Sequence, residues 1–357
     1  MTAHQDRFVA ETNVARVRFG DPVFNVIGEE IERLGAKRAL VLSTPPQAEI
    51  AQDLAAAIGP AAAGLFTCAT MHTPVEVTED ATDHAKEIEA DCLVAMGGGS
   101  TIGLAKAIAL RTGLPQIAIP TTYAGSEATP ILGQTENGQK TTLRDPKVQP
   151  GVIIYDPALV ATLPVGMTVT SGLNAMAHAV EGLYAQDRSA DGTAQAVDGL
   201  RAFADGLPEV LRDPSNLSAR GRTLYGAWLC GSVLGTVGMA LHHKLCHTLG
   251  GMFDLPHAET HAIILPHATA YNAKAVPDLL APVAEIFGGD HPGVALYDFA
   301  KSLDAPLALK DLGVTEADLD RAAKAALQAA YWNPRPLELS AIRALLQDAW
   351  KGVAPRS

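Results

Sequence analysis

Cysteine is scarce in this chain of 357 residues, and Cys68, Cys92, Cys230 and Cys246 form no CxxC pair and no ladder of close spacings. That excludes a disulfide scaffold. A chain this long buries enough surface to hold a core without cross-links, so the thiols are expected to be buried or incidental in a reducing compartment, the cytoplasm. An excess of positive charge is missing as well, the formal net charge being -12. Nothing neutralises a phosphate backbone and no basic stripe interrupts the acidity, so neither nucleic acid nor an anionic membrane is expected as a partner. An anionic small molecule stays admissible, in a local pocket of backbone N–H groups, histidines and a few cations. Met1 to Val9 carries His4, Asp6 and Arg7 and lacks the apolar run of a secretion signal. Acidic residues, Lys and Arg are all absent from Thr223 to His243, a length that would suit a membrane span. Gly226, Gly231, Gly235, Gly238 and the pair His242 and His243 interrupt it, and no second such stretch exists. It is expected as a helix buried on most faces in a helical core.

What is present suits a compact enzyme of two domains: 48% hydrophobic and 18% charged residues, with Gly 32 and Pro 23. The first half alternates apolar strands with helices. Ala39 to Ser43, Cys92 to Met96, Gln116 to Pro120 and Val152 to Tyr155 are the strands, and Ala48 to Ile58 and Thr101 to Leu110 are helices. This order implies a largely parallel sheet covered on both faces. Phe8 to Phe19 is expected as an edge strand or hairpin outside the main sheet. Beyond Asp156 the pattern turns helical: Ser171 to Tyr184, Thr193 to Ala204, Ser218 to His243, Val294 to Leu303, Thr315 to Ala330 and Glu338 to Trp350. A boundary between Leu159 and Thr168, punctuated by Pro157 and Pro164, leaves an α/β dinucleotide-binding domain over 1–160 and an all-helical catalytic domain over 161–357. The active site is expected in the cleft between them.

Strand Cys92–Met96 runs directly into Gly97, Gly98, Gly99 and Ser100 and then into a helix. Glycines let a chain turn sharply and let backbone N–H groups approach a ligand, and the helix N-terminus is an anion site for a pyrophosphate, with Ser100 as its cap. The string is neither GxGxxG nor a Walker loop, and a plain structural turn reads the same way. The next strand ends in Pro120 to Thr129, where Thr121, Thr122, Ser126 and Thr129 surround Gly125. Loops at the carboxyl ends of parallel strands line the ligand crevice, so these hydroxyls are expected to meet phosphate, ribose or nicotinamide; the alternative is a polar loop with helix caps.

Six of the eleven histidines fall between Ala240 and Ala268. His178 follows Asn174 by four residues, and His247 follows His243 by four, so each pair shares a helical face, whereas His242 points about 100° away from His243. There is no HExxH. Such a set can bind zinc or iron(II), or donate hydrogen bonds to a dianion.

These runs carry a resemblance. Leu173 to Ala179 (LNAMAHA), and above all Ala240 to Gly251 (ALHHKLCHTLGG) continuing through Asp254 to Glu259 (DLPHAE), resemble the iron-containing, or group III, alcohol dehydrogenase superfamily, in its maleylacetate reductase branch. The resemblance implies a dehydroquinate synthase-like fold and NADH- or NADPH-dependent reduction of the enone double bond of maleylacetate to 3-oxoadipate, in aromatic compound degradation. It also matches Asn174, His178, His243 and His257 to the family's metal ligands, one aspartate and three histidines. Asn174 departs from that set: a neutral amide leaves the charge of a divalent ion uncompensated, so no metal is expected. His247 matches a non-ligand active-site histidine and is the expected proton donor. His242, Lys244 and Lys140 are expected carboxylate partners or ordinary structural residues. Thr44 stands where the family's ribose-binding aspartate stands, so both nucleotides are expected to be accepted. The expected partners are a small dicarboxylate and a second copy of the chain. The alternatives are a metal-dependent alcohol or polyol dehydrogenase of the same fold, and a metal-dependent phosphohydrolase or lyase.

Overall fold

The computed structural model describes residues 8–11, 15–136, 139–328 and 331–356, with backbone alone for 8–11, 139 and 140. His4, Asp6 and Arg7, the end of the helix expected to Ala330, and the Lys140 side chain thus lie outside the described residues. Two compact units divide between Leu163 and Pro164.

The first unit holds strands β1 (Phe8–Glu11), β2 (Arg16–Phe19), β3 (Ala39–Leu42), β4 (Ala62–Phe66), β5 (Cys92–Gly97), β6 (Gln116–Pro120), β7 (Ile131–Glu136), β8 (Gln139–Arg144) and β9 (Val152–Tyr155). Seven form one sheet in the order β1-β2-β9-β6-β5-β3-β4, and β7 and β8 make a separate antiparallel hairpin. Every pairing in the large sheet is parallel except β1 with β2. The segment around Phe8 to Phe19 therefore joins the main sheet at its edge, through β2 on β9, instead of standing outside it. Partial alternation and β-branched residues in the sequence gave it the look of a separate hairpin, but its Arg16 and Arg18 are held by the buried Glu30 of the next helix.

Helices α1 (Val23–Arg33), α2 (Ala48–Ile58), α3 (Val75–Glu87) and α4 (Gly99–Thr112) cover this sheet, and a short α5 (Pro157–Val160) ends the unit. Side chains alternate along each strand, so one strand feeds two cores. Val41, Val94 and Ile117 pack with Val26, Ile27 and Leu54 from α1 and α2. Leu40, Leu42 and Leu93 pack on the opposite face with Ala81, Leu104 and Ile108 from α3 and α4. This is why β3 and β5 read as unbroken apolar runs.

The second unit is helical throughout its described residues: α6 (Val165–Tyr184), α7 (Ala190–Arg212), α8 (Leu217–Thr236), α9 (Leu241–Phe253), α10 (His257–Ala273), α11 (Pro277–Phe287), α12 (Pro292–Ser302), α13 (Leu319–Ala326) and α14 (Leu339–Lys351). The single helix expected from Ser218 to His243 is instead two, α8 and α9, with a bend of 94° between them. The periodicity of small and apolar residues runs through the break, but the backbone does not. Gly238 N–H donates to Asp187, and Ala240 and His242 N–H donate to Glu181, so two carboxylates from α6 and its following turn take amides that a continuous helix would bond internally. Among the described residues no single helix is long and apolar enough to cross a membrane; only the bent α8–α9 pair passes on length and composition.

Candidate functional site

Two sites emerge, one in each unit. In the first, the chain passes from β3 outward to β4, then returns to β5 on the other side of β3 and continues to β6 and β9. The carboxyl ends of β3 and β5 thus flank the point where strand order reverses, the usual ligand crevice of an open parallel sheet. Thr44 follows β3, Gly97 to Ser100 follow β5, and Thr121 and Thr122 follow β6. Gln47 ties these loops together, accepting from the Thr44 hydroxyl at 3.3 Å and donating to Thr121 Oγ1 at 2.9 Å. The helix begins at Gly99 with Gly98 as its cap, so Ser100 lies inside the first turn and does not cap it. With glycine at the cap, the first turn's N–H groups are left without a side-chain acceptor of their own.

The three glycines differ in what constrains them. A Cβ on Gly97 would lie 2.2 Å from Thr101 Oγ1, and one on Gly98 2.9 Å from Thr122 Cγ2, so both are demanded by the protein's own packing. At Gly99 a Cβ would meet nothing within 4 Å. Gly125, at φ +77°, turns the loop that carries Ser126. Lys106 holds that loop from below: its buried Nζ donates to the carbonyls of Ser126 (2.5 Å), Thr129 (2.7 Å) and Ile131 (2.9 Å), and lies 3.0 Å from Thr129 Oγ1. Burial lowers its pKa to about 7, and the nearby Glu127 opposes that shift.

In the second unit α6 presents Asn174, His178 and Glu181 along one buried stripe. α9 presents His242, His243 and, at its middle, the exposed His247, while α10 opens with His257 and carries His261 one turn later. Asp254, at φ +51°, ends α9 in a left-handed turn that aims the chain into α10. The rings gather closely: His178 to His243 5.2 Å, His243 to His261 5.1 Å, His257 to His261 4.2 Å and His243 to His247 6.1 Å between centroids. His242, His243, His178 and Asn174 are buried, whereas His247 and His257 are exposed.

Glu181, which sequence reasoning passed over, organises this cluster. Its Oε2 accepts from Ala240 N–H at 2.9 Å and lies 2.7 Å from His243 Nδ1; its Oε1 accepts from His242 N–H at 2.9 Å and from the Tyr184 hydroxyl at 3.0 Å. Burial alone would raise its pKa, but the His243 hydrogen bond, the charges of His243 and His242 and the Ala240 N–H outweigh it and hold the carboxyl at about 2. An ionised carboxylate only accepts, so His243 Nδ1 carries a proton. Its Nε2 is then a bare lone pair in the neutral ring and an N–H donor in the protonated one. Burial, followed by the charges of neighbouring histidines, lowers the pKa of His178 well below its ordinary value; burial first, then His243, brings His242 to about 3.

Asn174 Oδ1, His178 Nδ1 and His243 Nε2 are buried with no hydrogen-bond partner. Orphaned polar atoms of this kind cost free energy unless a ligand meets them. The structure places the other expected site residues less centrally. Despite its helical offset, the His242 ring stands edge-on to that of His243 with 5.2 Å between centroids, and its Nε2 lies 3.0 Å from His261 Nδ1. Lys244 Nζ sits 5.6 Å from the centre of the Tyr331 ring. His261, one of the six clustered histidines, belongs to the neighbourhood, as does Tyr331, whose buried hydroxyl has no partner and which carried no motif.

Residues 15–157 match the family profile described as iron-containing alcohol dehydrogenase, and residues 168–350 match its C-terminal counterpart. The maleylacetate reductase of Rhizobium sp. (strain MTP-10005) is 60% identical over 348 residues, covering 98% of this chain and 99% of that protein. The crystal structure of maleylacetate reductase from Agrobacterium tumefaciens superposes with a TM-score of 0.94 at 57% identity, covering 98% of this chain and 99% of that one. The sulfoacetaldehyde reductase of Bifidobacterium kashiwanohense, solved in complex with NAD+, shares the fold at 21% identity, with a TM-score of 0.85 and coverage of 95% and 98%. The chain belongs to the iron-containing alcohol dehydrogenase family.

Proposed function

We propose that the protein is a maleylacetate reductase, using NADH or NADPH to convert the enone of maleylacetate to 3-oxoadipate. The observation that carries this reading is the full-length likeness to maleylacetate reductases, on a buried cluster where Asn174 stands beside His178 and His243 with bare polar atoms. The nucleotide is assigned to the loops after β3, β5 and β6, with its pyrophosphate at the first turn of α4.

Bound there, the nucleotide would supply the hydride that reduces the alkene carbon β to the ketone, and negative charge would then collect on the ketone oxygen as an enolate. His243 is assigned to that oxygen through Nε2, with Glu181 orienting the ring through Nδ1, the part a buried carboxylate plays behind a catalytic histidine. His247, one turn further along α9, supplies the proton that quenches the enolate at carbon. Asn174, His178, His242, His257 and Lys244 are assigned to the substrate's carboxylates and their surroundings.

The family is named for iron, and the residues suit a cation in kind: bare imidazole nitrogens on His178 and His243 and the bare amide oxygen of Asn174 are metal-type donors, with His257 as the fourth. A divalent ion held there would supply Lewis-acid polarisation of the ketone. The donor set carries no negative charge, and Glu181 already serves His243 and two backbone amides. We therefore assign the polarising role to N–H donors, with no metal. The direct test is NADH and NADPH oxidation with maleylacetate beside simple alcohols and aldehydes, before and after exhaustive chelation. Turnover of maleylacetate that survives chelation is expected; turnover of alcohols alone, restored by added metal, would establish the metal-dependent dehydrogenase instead.

A further inference from the structure

Cys246 lies one helical turn after His242 on α9, and both side chains meet His261 of α10. One ligand-type atom from each lies within 4.8 Å of the other two, and all three residues are buried. His242 Nε2 is 3.0 Å from His261 Nδ1 and 3.6 Å from Cys246 Sγ. A tetrahedral zinc ion, with bonds of about 2.05 Å to nitrogen and about 2.3 Å to sulfur, separates two nitrogens by about 3.3 Å and a nitrogen from sulfur by about 3.6 Å. The pair of imidazoles needs to open by only a few tenths of an ångström.

We propose that His242, Cys246 and His261 form a site for a thiophilic divalent cation of the zinc type, separate from the Asn174, His178, His243 and His257 set. The i, i+4 pair on one helix and a third ligand from its neighbour give a fixed bite, and one thiolate with two imidazoles selects zinc-like ions over magnesium or calcium. The ion enters as the thiol proton leaves, so that a metal–sulfur bond replaces a sulfur–hydrogen bond and one proton is released to solvent. The thiolate supplies the negative charge that the other set lacks. Occupancy inhibits the enzyme: His261 lies 4.2 Å from His257 and 5.1 Å from His243 between ring centres, so fixing it on a metal displaces the rings assigned to the substrate. The inhibition rests on the reductase reading; the binding does not.

The test uses full-length protein carrying Cys68→Ser, which removes the exposed thiol. Cobalt(II) is expected to give a thiolate-to-metal charge-transfer band that Cys246→Ser abolishes and Asn174→Ala leaves intact. Zinc affinity should fall by at least about tenfold in Cys246→Ser. X-ray absorption at the zinc edge of the Cys68→Ser protein, which needs no buried variant to fold, should show one sulfur neighbour. A cobalt spectrum without the band, a band that Cys246→Ser leaves unchanged, or a zinc shell of nitrogen and oxygen alone would overturn the proposal. Zinc bound through sulfur by a protein that never turns over maleylacetate would uphold the site and fail the reductase reading.

Discussion

Replacing Glu181 by glutamine probes the centre of the histidine cluster, because the substitution keeps size and removes only the second acceptor. Oε2 takes the Ala240 N–H and Oε1 the His242 N–H. In either orientation the new amide therefore sets its NH2 against a buried backbone N–H. One unsatisfied buried donor costs about 1–3 kcal/mol, and the charged hydrogen bond to His243 is worth about 1.5–3 kcal/mol more. At about 2–4 °C per kcal/mol for a domain of this size, the melting temperature of the helical unit should drop by roughly 10 °C. His243 also loses the carboxylate that orients its ring, and an enolate partner weakened in this way should cost about 10²–10³ in kcat. Steady-state oxidation of NADH with maleylacetate, beside a thermal melt, separates the two effects. Glu181→Asp keeps the charge and should recover part of the stability but less of the rate, since the shorter side chain cannot hold both α9 and His243. Acid unfolding gives an independent signature. The carboxyl is held at about 2, below its ordinary 4.5, so its stabilisation is complete above about pH 4.5 and disappears as pH falls through about 2. That part of the acid-unfolding curve should vanish in Glu181→Gln. A folded Glu181→Gln enzyme with kcat within about twofold of wild type would refute the role given to the Glu181–His243 pair, because losing a donor to the developing oxyanion costs about 10²–10³.

Gly99→Val should leave the α/β unit folded and weaken binding of both nucleotides, since a side chain there meets no protein atom; unchanged affinity in a nucleotide titration would move the pyrophosphate off this turn. Gly98→Val should weaken binding too, but with a loss of stability, because it strikes Thr122. Thr44→Asp should shift kcat/KM toward NADH, by repelling a 2′-phosphate and accepting from a 2′-hydroxyl; an equal ratio before and after would place the ribose elsewhere. Asn174→Asp should raise affinity for iron(II) or zinc, while the unsubstituted enzyme, after chelation, should contain well below one metal per chain by elemental analysis; stoichiometric metal with activity that depends on it would overturn the metal-free mechanism.

The sheet was legible because its strands are apolar on both faces: β6 and β9 and helix α2 lie where their runs of residues place them, and β5 only adds Gly97. Less legible was β4, Ala62–Phe66, whose half-buried edge position and small residues give no apolar run. The break between α8 and α9 was hidden for a different reason. Local propensity continues across it, and the carboxylates that stabilise it, Asp187 and Glu181, come from about fifty to sixty residues earlier in the chain. The histidines could be picked out by spacing and family likeness, because helical offsets of four decide which share a face. Glu181 could not, since a glutamate inside an apolar helix declares no partner until α9 is packed against it. Ser100 misled for a local reason: serine is a common cap, yet the backbone turns one residue earlier on glycine.

The position of negative charge in the cluster ties these points to chemistry. A carboxylate among the ligands offsets the charge of a divalent ion, whereas one behind a histidine orients the ring. Here the ligand-type position holds Asn174, and the buried carboxylate, Glu181, sits behind His243 on Nδ1, on the far side of the ring from the bare Nε2. Charge placed there fixes the proton on His243 Nδ1 and leaves Nε2 facing away from Glu181. With Asn174 at the ligand-type position and Glu181 behind His243, the proposed chemistry requires turnover of maleylacetate to survive chelation, and turnover that stops on chelation and returns with added metal would refute it.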